Sequence, residues 1–139
     1  MELSEEDINA IKDIQSRQTG GWAGQFSISE GWYPLVADLH RELLKIDPTY
    51  SVQQVKEKFG GLRFYSQPEN RELDDQTVRK FRQLVHKAEE GSLHVCEECG
   101  GIGTHRNVSG MVATLCTVHF AEARERMQEA KRVLREGAK

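Results

Sequence analysis

Three cysteines and a histidine carry the clearest chemistry in this chain. Two residues separate Cys96 from Cys99, sixteen residues follow, and two residues again separate Cys116 from His119. Each pair puts two donors on one tight turn. A second such turn, one hairpin later, completes a tetrahedron, the geometry of a structural zinc ion. The segment between them, GGIGTHRNVSGMVATL, has glycine at 100, 101, 103 and 110, which permits the first knuckle and then a hairpin turn near Ser109-Gly110. Every cysteine of the chain is used this way; three buried free thiols are the plainer alternative. His94 and His105 compete for the fourth position, but the spacing from Cys116 favours His119, in the first turn of the last helix. A catalytic zinc keeps an open position, whereas four protein donors make a closed one. Glu97 and Glu98 lie between the first ligands, yet the HxE…PCxxC pattern of zinc deaminases is missing.

A second cluster lies in VKEKFGGLRFY, residues 55–65. Gly60-Gly61 is a two-residue hairpin turn signal, because such turns favour positive φ at both central positions. That centre pairs Phe59 with Leu62, Lys58 with Arg63, Glu57 with Phe64 and Lys56 with Tyr65. Alternation then puts Val55, Glu57, Phe59, Leu62 and Phe64 on a core face, and Lys56, Lys58, Arg63 and Tyr65 on the other. Like charges opposite one another cost stability, so the second face invites a counter-charge. A phosphorylated, nucleotide-like ligand fits, held by charge and by the forked donors of arginine, with Tyr65 free to stack. A solvated face neutralised by a nearby carboxylate is the ordinary alternative. Arg106, between the knuckles, is a further candidate for an anion. Trp22 and Trp32 follow glycines and read as base-stacking residues or, more ordinarily, as anchors. His40 and His86 read as surface histidines on helices. No nucleophile–base set or phosphate-binding loop is visible, so no enzyme is expected.

These residues need a scaffold. Length fits one domain with an appendage. Apolar residues are 37% of the chain but fall in periodic clusters, so a small folded core gains from a metal staple. The net charge of −3, from 19 basic and 22 acidic side chains, is not the footprint of a nucleic-acid coat. No run approaches the ~20 apolar residues of a membrane span, and the acidic start lacks the layout of a signal peptide. A cytoplasmic protein follows, with thiolate–metal chemistry in preference to disulfides. Periodicity predicts helices over 4–16 (Ile8, Ile11 and Ile14 inward), 31–46 (Leu35, Leu39, Leu43 and Ile46 inward), 77–90 (Val78, Phe81, Leu84, Val85 and Ala88 inward) and 117–136, with a hairpin over 52–66. Residues 17–30 read as loop pinned by Trp22 and Phe26. The predicted class is α+β: an α+β domain with the hairpin (1–92), a zinc-binding module (93–120) and a charged C-terminal helix (121–139) that projects or pairs with another chain.

Three stretches, GWYPLVADL (31–39), VKEKFGGLRFY (55–65) and CEECGGIG with TLCTVH after it (96–119), resemble a family of small proteins frequent in bacteriophage genomes and prophages. The resemblance covers roughly residues 30–120. Relatives carry Pro and Gly after the second knuckle cysteine and a Trp before TLC; here Gly101-Ile102-Gly103 and Met111-Val112-Ala113 stand there. The resemblance implies a phage accessory protein in the host cytoplasm, of the kind that sequesters a nucleotide-type immune signal without cleaving it. The competing expectations are a module that binds a host protein or a second copy of itself, and a nucleic-acid-binding zinc protein.

Overall fold

The computed structural model describes residues 1–19 and 25–137. Trp22, read above as an anchor or a stacking residue, lies outside them. The fold is α+β, as expected: the described residues form four α-helices, a three-stranded sheet and a separate two-stranded one.

Helix α1 spans Glu5–Ser16 and is capped by Ser4, whose hydroxyl accepts from Asp7 N. Ile11 and Ile14 are buried, whereas Ile8 faces partly outward. Strand β1, Phe26–Ser27, runs parallel to β2 and was read from sequence as loop. Helix α2, Tyr33–Ile46, follows a 3-10 turn over Glu30–Trp32, with Pro34 in its first turn, where the missing N–H is harmless. Its buried face is Val36, Ala37, Leu39, His40 and Leu43, rotated from the expected leucine stripe.

Strands β2 (Ser51–Lys58) and β3 (Gly61–Gln67) form the predicted hairpin, with a corrected register. The turn residues are Phe59 and Gly60, at φ 54° and 78°. Lys58 therefore faces Gly61, Glu57 faces Leu62, Lys56 faces Arg63 and Val55 faces Phe64. Phe59 leaves the core for the turn, where it is 69% exposed. Each strand partner moves by two residues relative to the expected pairing, so the division into faces survives. At the other end the pairing is irregular between Val52 and Gln54. The extra residue, Gln53, restores the facing direction, so Val52 and Val55 are both buried despite a spacing that period two forbids.

Helix α3, Asp75–Gly91, is capped by Asp74 and packs Phe81 and Ala88 inward. It also closes the free edge of β3. Ser92 Oγ accepts from Leu62 N and Glu89 Oε2 accepts from Phe64 N, so this edge offers fewer free donors to another chain. The core lies between the sheet and the three helices, with Trp32, Tyr50, Phe64 and Phe81 its largest side chains. After Gly91 come β4 (Thr104–Val108) and β5 (Met111–Leu115), joined, as the sequence predicted, at Ser109-Gly110, where both residues have positive φ. Helix α4, Thr117–Gly137, runs unbroken across residue 120. No helix among the described residues is long and apolar enough to cross a membrane.

Candidate metal centre

The knuckle at Cys96–Cys99 is built by backbone bonds. Gly100 N donates to Cys96 O at 2.9 Å and Cys96 N to Gly101 O at 2.8 Å. Gly103 N donates to His94 O, and a Cβ on Gly103 would sit 2.6 Å from Cys96 N, so only glycine lets the return strand approach. The second pair is placed by the end of β5 and the start of α4. Cys116 stands just before the helix, and His119 N donates to its Sγ at 3.4 Å.

Turn and helix together bring Cys96, Cys99, Cys116 and His119 to one point, all donor atoms within 4.8 Å of one another. Cys99 and Cys116 sulfurs are 3.9 Å apart, and His119 Nδ1 lies 3.6 Å from Cys96 Sγ and 3.1 Å from Cys116 Sγ. His119 Nε2 points outward, 3.9 Å from Glu122 Oε2. Electrostatics suit ligation. The His119 N–H bond, reinforced by contacts from His119 and the other thiols, holds Cys116 down at about 6, the thiolate form a metal needs. Burial pushes the Cys96 thiol up, as expected of a fully covered sulfur with no cation beside it. Three sulfurs and an imidazole nitrogen form a complete four-donor set for a metal ion.

His94 and His105 are elsewhere. His94 is exposed, and His105 donates from Nε2 to Phe59 O at 2.6 Å, a contact that ties this module to the β2–β3 turn. Thr114 makes the neighbouring tie, donating from its buried hydroxyl to Gly60 O at 2.6 Å. Glu97, between the first two ligands, accepts from Thr114 N; burial, with Glu57 and Glu98 nearby, raises it to about 7 despite that bond. On the opposite side Trp32 donates from Nε1 to Val95 O at 2.8 Å and is wholly buried. Gly31 N donates to Glu97 O, with backbone so close that a Cβ would lie 2.3 Å from the carbonyl oxygens of Cys96 and Glu97. Trp32 is thus an anchor of the knuckle and not a stacking platform.

The other candidate residues fall into two groups. Lys56, Arg63 and Tyr65 share the outer face of the sheet, with Lys56 directly opposite Arg63 and its ammonium 5.9 Å from the Tyr65 ring centre. Lys58 is on the same face at the hairpin end. No carboxylate among the described residues forms an ion pair with Lys56, Lys58 or Arg63. Arg106 is instead engaged inside the metal module, donating from Nε to Leu115 O at 3.1 Å and lying 4.5 Å over the Phe120 ring. His86 is exposed, as read from sequence, and pairs with Glu90, but His40 is buried, contrary to that reading. Its Nε2 meets Asp13 Oδ2 and its Nδ1 meets the Tyr50 hydroxyl. This Asp–His–Tyr chain has the connectivity of a proton relay, but both Tyr50 and His40 are sealed from solvent. Sequence reading also missed Asp47, a buried carboxylate that accepts from Thr49 N and Oγ1, Glu69 N and Asn70 N. Burial alone would raise it, yet these bonds outweigh burial and hold it at about 2.

Comparison with protein-family models, curated proteins and solved structures gives no match for this chain.

Proposed function

We propose that this chain is a non-enzymatic binding protein in which a structural zinc ion braces a β-hairpin, and that the cationic outer face of that hairpin holds a phosphorylated, nucleotide-like ligand. The zinc assignment rests on the shape of the donor set. A tetrahedral ion with sulfur at about 2.3 Å and nitrogen at about 2.0–2.1 Å sets S···S edges near about 3.8 Å and S···N edges near about 3.6 Å. The Cys99–Cys116 edge of 3.9 Å and the Cys96–His119 edge of 3.6 Å match these, and the Cys116–His119 edge of 3.1 Å is tighter. With four protein donors the ion has no position for water, so its work is to hold the knuckle, β5 and α4 together.

The ligand assignment rests on one observation. Lys56 stands opposite Arg63, with Lys58 and Tyr65 beside them, and no carboxylate of the described chain neutralises them. Two cations held face to face favour a multivalent anion between them. The resemblance to phage and prophage proteins supports reading that anion as a host-made nucleotide signal, held intact and so withdrawn from its receptor. Arg106 is left out of this set because its guanidinium is already used against Phe120.

Elemental analysis of the purified chain is expected to find one zinc per protein. Native mass spectrometry with ADP-ribose and cyclic dinucleotides as probes is expected to find at least one retained and released unchanged. Arg63→Ala is expected to abolish that binding with the melting temperature of the free protein almost unchanged. Recovery of a hydrolysed product, or a large drop in melting temperature for Arg63→Ala, would refute the reading. A host protein captured stoichiometrically through this same face would move it to a protein interaction.

A further inference from the structure

Helix α4 carries a surface that the rest of the fold leaves open. Phe120, Ala123, Met127, Ala130 and Leu134 recur at alternating steps of three and four. At roughly 100° per residue they form one stripe about 80° wide. Phe120, Ala123 and Met127 pack against Val108 and Leu115 of the metal module. Beyond Met127 the stripe leaves the body: Leu134 is 74% exposed, Val133 beside it is 54% exposed, and no residue of the helix is buried.

The charges along this stripe are of one sign. Lys131, Arg124 and Arg135 border one side and Arg126 the other, each within about 100° of the stripe's centre. Glu122, Glu125, Glu129 and Glu136 all lie about 120° or more from that centre. Arg132, on the far face, is occupied by Glu129 and Glu136. None of Arg124, Arg126, Lys131 and Arg135 forms an ion pair among the described residues. An intrahelical arrangement that served only solubility would intersperse the signs.

We propose that the outer half of α4 docks an acidic amphipathic helix of another protein. The apolar residues offer a seam of coiled-coil spacing, with Ala130 small enough for close approach, and Lys131 and Arg135 along one border of the outer half select the partner's charge, Arg124 being stacked 5.6 Å from the Phe120 ring centre. A second copy of this chain is a poor occupant. Two parallel copies set Arg126 against Lys131, and two antiparallel copies set Arg124 against Lys131. The seam is short, so the contact is a transient, salt-sensitive one. It is independent of the ligand face on β2–β3.

The test uses the full-length protein and a synthetic three-heptad helical peptide with Leu on its seam and Glu on both borders. Anisotropy is expected to show binding that weakens at least about tenfold when salt rises from about 0.05 M to about 0.5 M. Leu134→Ser and Lys131→Glu are each expected to weaken it, with melting temperature and metal content unchanged, because neither side chain meets the body. A peptide with Lys in place of Glu is expected not to bind. Equal binding of both peptides, or of neither, would overturn the proposal. So would self-association in sedimentation that Leu134→Ser removes, which would assign the seam to a second copy. Binding to phosphatidylserine vesicles in place of the peptide would assign it to a membrane surface.

Discussion

The buried imidazole of His40 ties α2 to α1 and to the segment before β2 through its two nitrogens. Neutral, it donates from Nε2 to Asp13 on α1 and accepts at Nδ1 from the Tyr50 hydroxyl. Protonation turns Nδ1 into a donor and leaves the Tyr50 hydroxyl proton without an acceptor in a site that is 1% exposed. Burial lowers the His40 pKa, and the nearby charges of Arg17 and Arg41 act the same way; the bond and charge of Asp13 oppose them without prevailing. The folded state therefore binds its proton later than the unfolded chain does. Stability from this group is complete above the ordinary histidine value of about 6.5 and is lost as pH falls from there through the lower folded value. Asp13 is also held below its usual range, chiefly by bonds to His40 and Arg17 acting against burial, so its loss has the same sign at lower pH. Urea midpoints at pH 7.5 and pH 5.5 are expected to fall on acidification in the native protein. His40→Asn is expected to be less stable at both values and to show a smaller fall; an equal fall would assign the effect to other groups. His40 was misread from sequence because the stripe of leucines on α2 hid a buried face one position round, at Val36, Ala37, Leu39, His40 and Leu43. A histidine amid apolar residues carries no sign of its partners until the fold brings Asp13 and Tyr50 to it. The candidate metal ligands were legible for the opposite reason: a shared ion would fix their types and their spacing on the chain itself.

Among the elements, the β2–β3 hairpin shows where local turn chemistry yields to docking. Gly60-Gly61 was the better turn by residue type, yet Phe59 takes positive φ in its place. The chosen register puts the carbonyls of Phe59 and Gly60 where His105 and Thr114 donate to them, and the N–H of Leu62 where Ser92 accepts. Three tertiary bonds at the tip outweigh the strain of one left-handed phenylalanine. Strand β1 was illegible because two residues carry no periodicity; pairing with Val55 and Lys56 alone defines it. The contact between the start of α2 and the knuckle yields a direct test. Gly31→Ala forces a Cβ against two backbone carbonyls that cannot rotate away. It is expected to cost on the order of 1–3 kcal/mol in thermal or chemical unfolding and to weaken metal retention against a competing chelator. Gly137→Ala, where nothing lies within 4 Å, is the control and is expected to be near neutral. Equal effects from the two would show that the close approach at Gly31 is not important.

Taken whole, the described residues form an α+β body and a candidate metal module sewn together by hydrogen bonds from Gly31 to Glu97, Trp32 to Val95, His105 to Phe59 and Thr114 to Gly60. Two of these lie at the tip of the hairpin whose outer face carries Lys56 and Arg63. Removing the metal with a chelator is therefore expected to do more than release β4, β5 and the first turn of α4. Hydrogen exchange is expected to quicken at the Phe59–Leu62 tip, while amides around Ile14, Leu43 and Phe81 in the main core keep their protection. A tip that exchanges at the same rate with and without chelator would separate the two sheets energetically. The class, the order of the helices and the place of the module were readable from periodicity and spacing. The stitching was not, because every stitch joins residues more than 40 positions apart and ends on a backbone carbonyl that any sequence possesses.

That wide separation bears on how the chain is born. On a ribosome the segment bearing Gly31, Trp32 and the 59–60 turn emerges well before Val95, Glu97, His105 and Thr114 exist to receive them. The early-made half must wait with its tip carbonyls bare and its tryptophan nitrogen unmatched, and it reaches its final form only when the last-made portion has arrived to meet them.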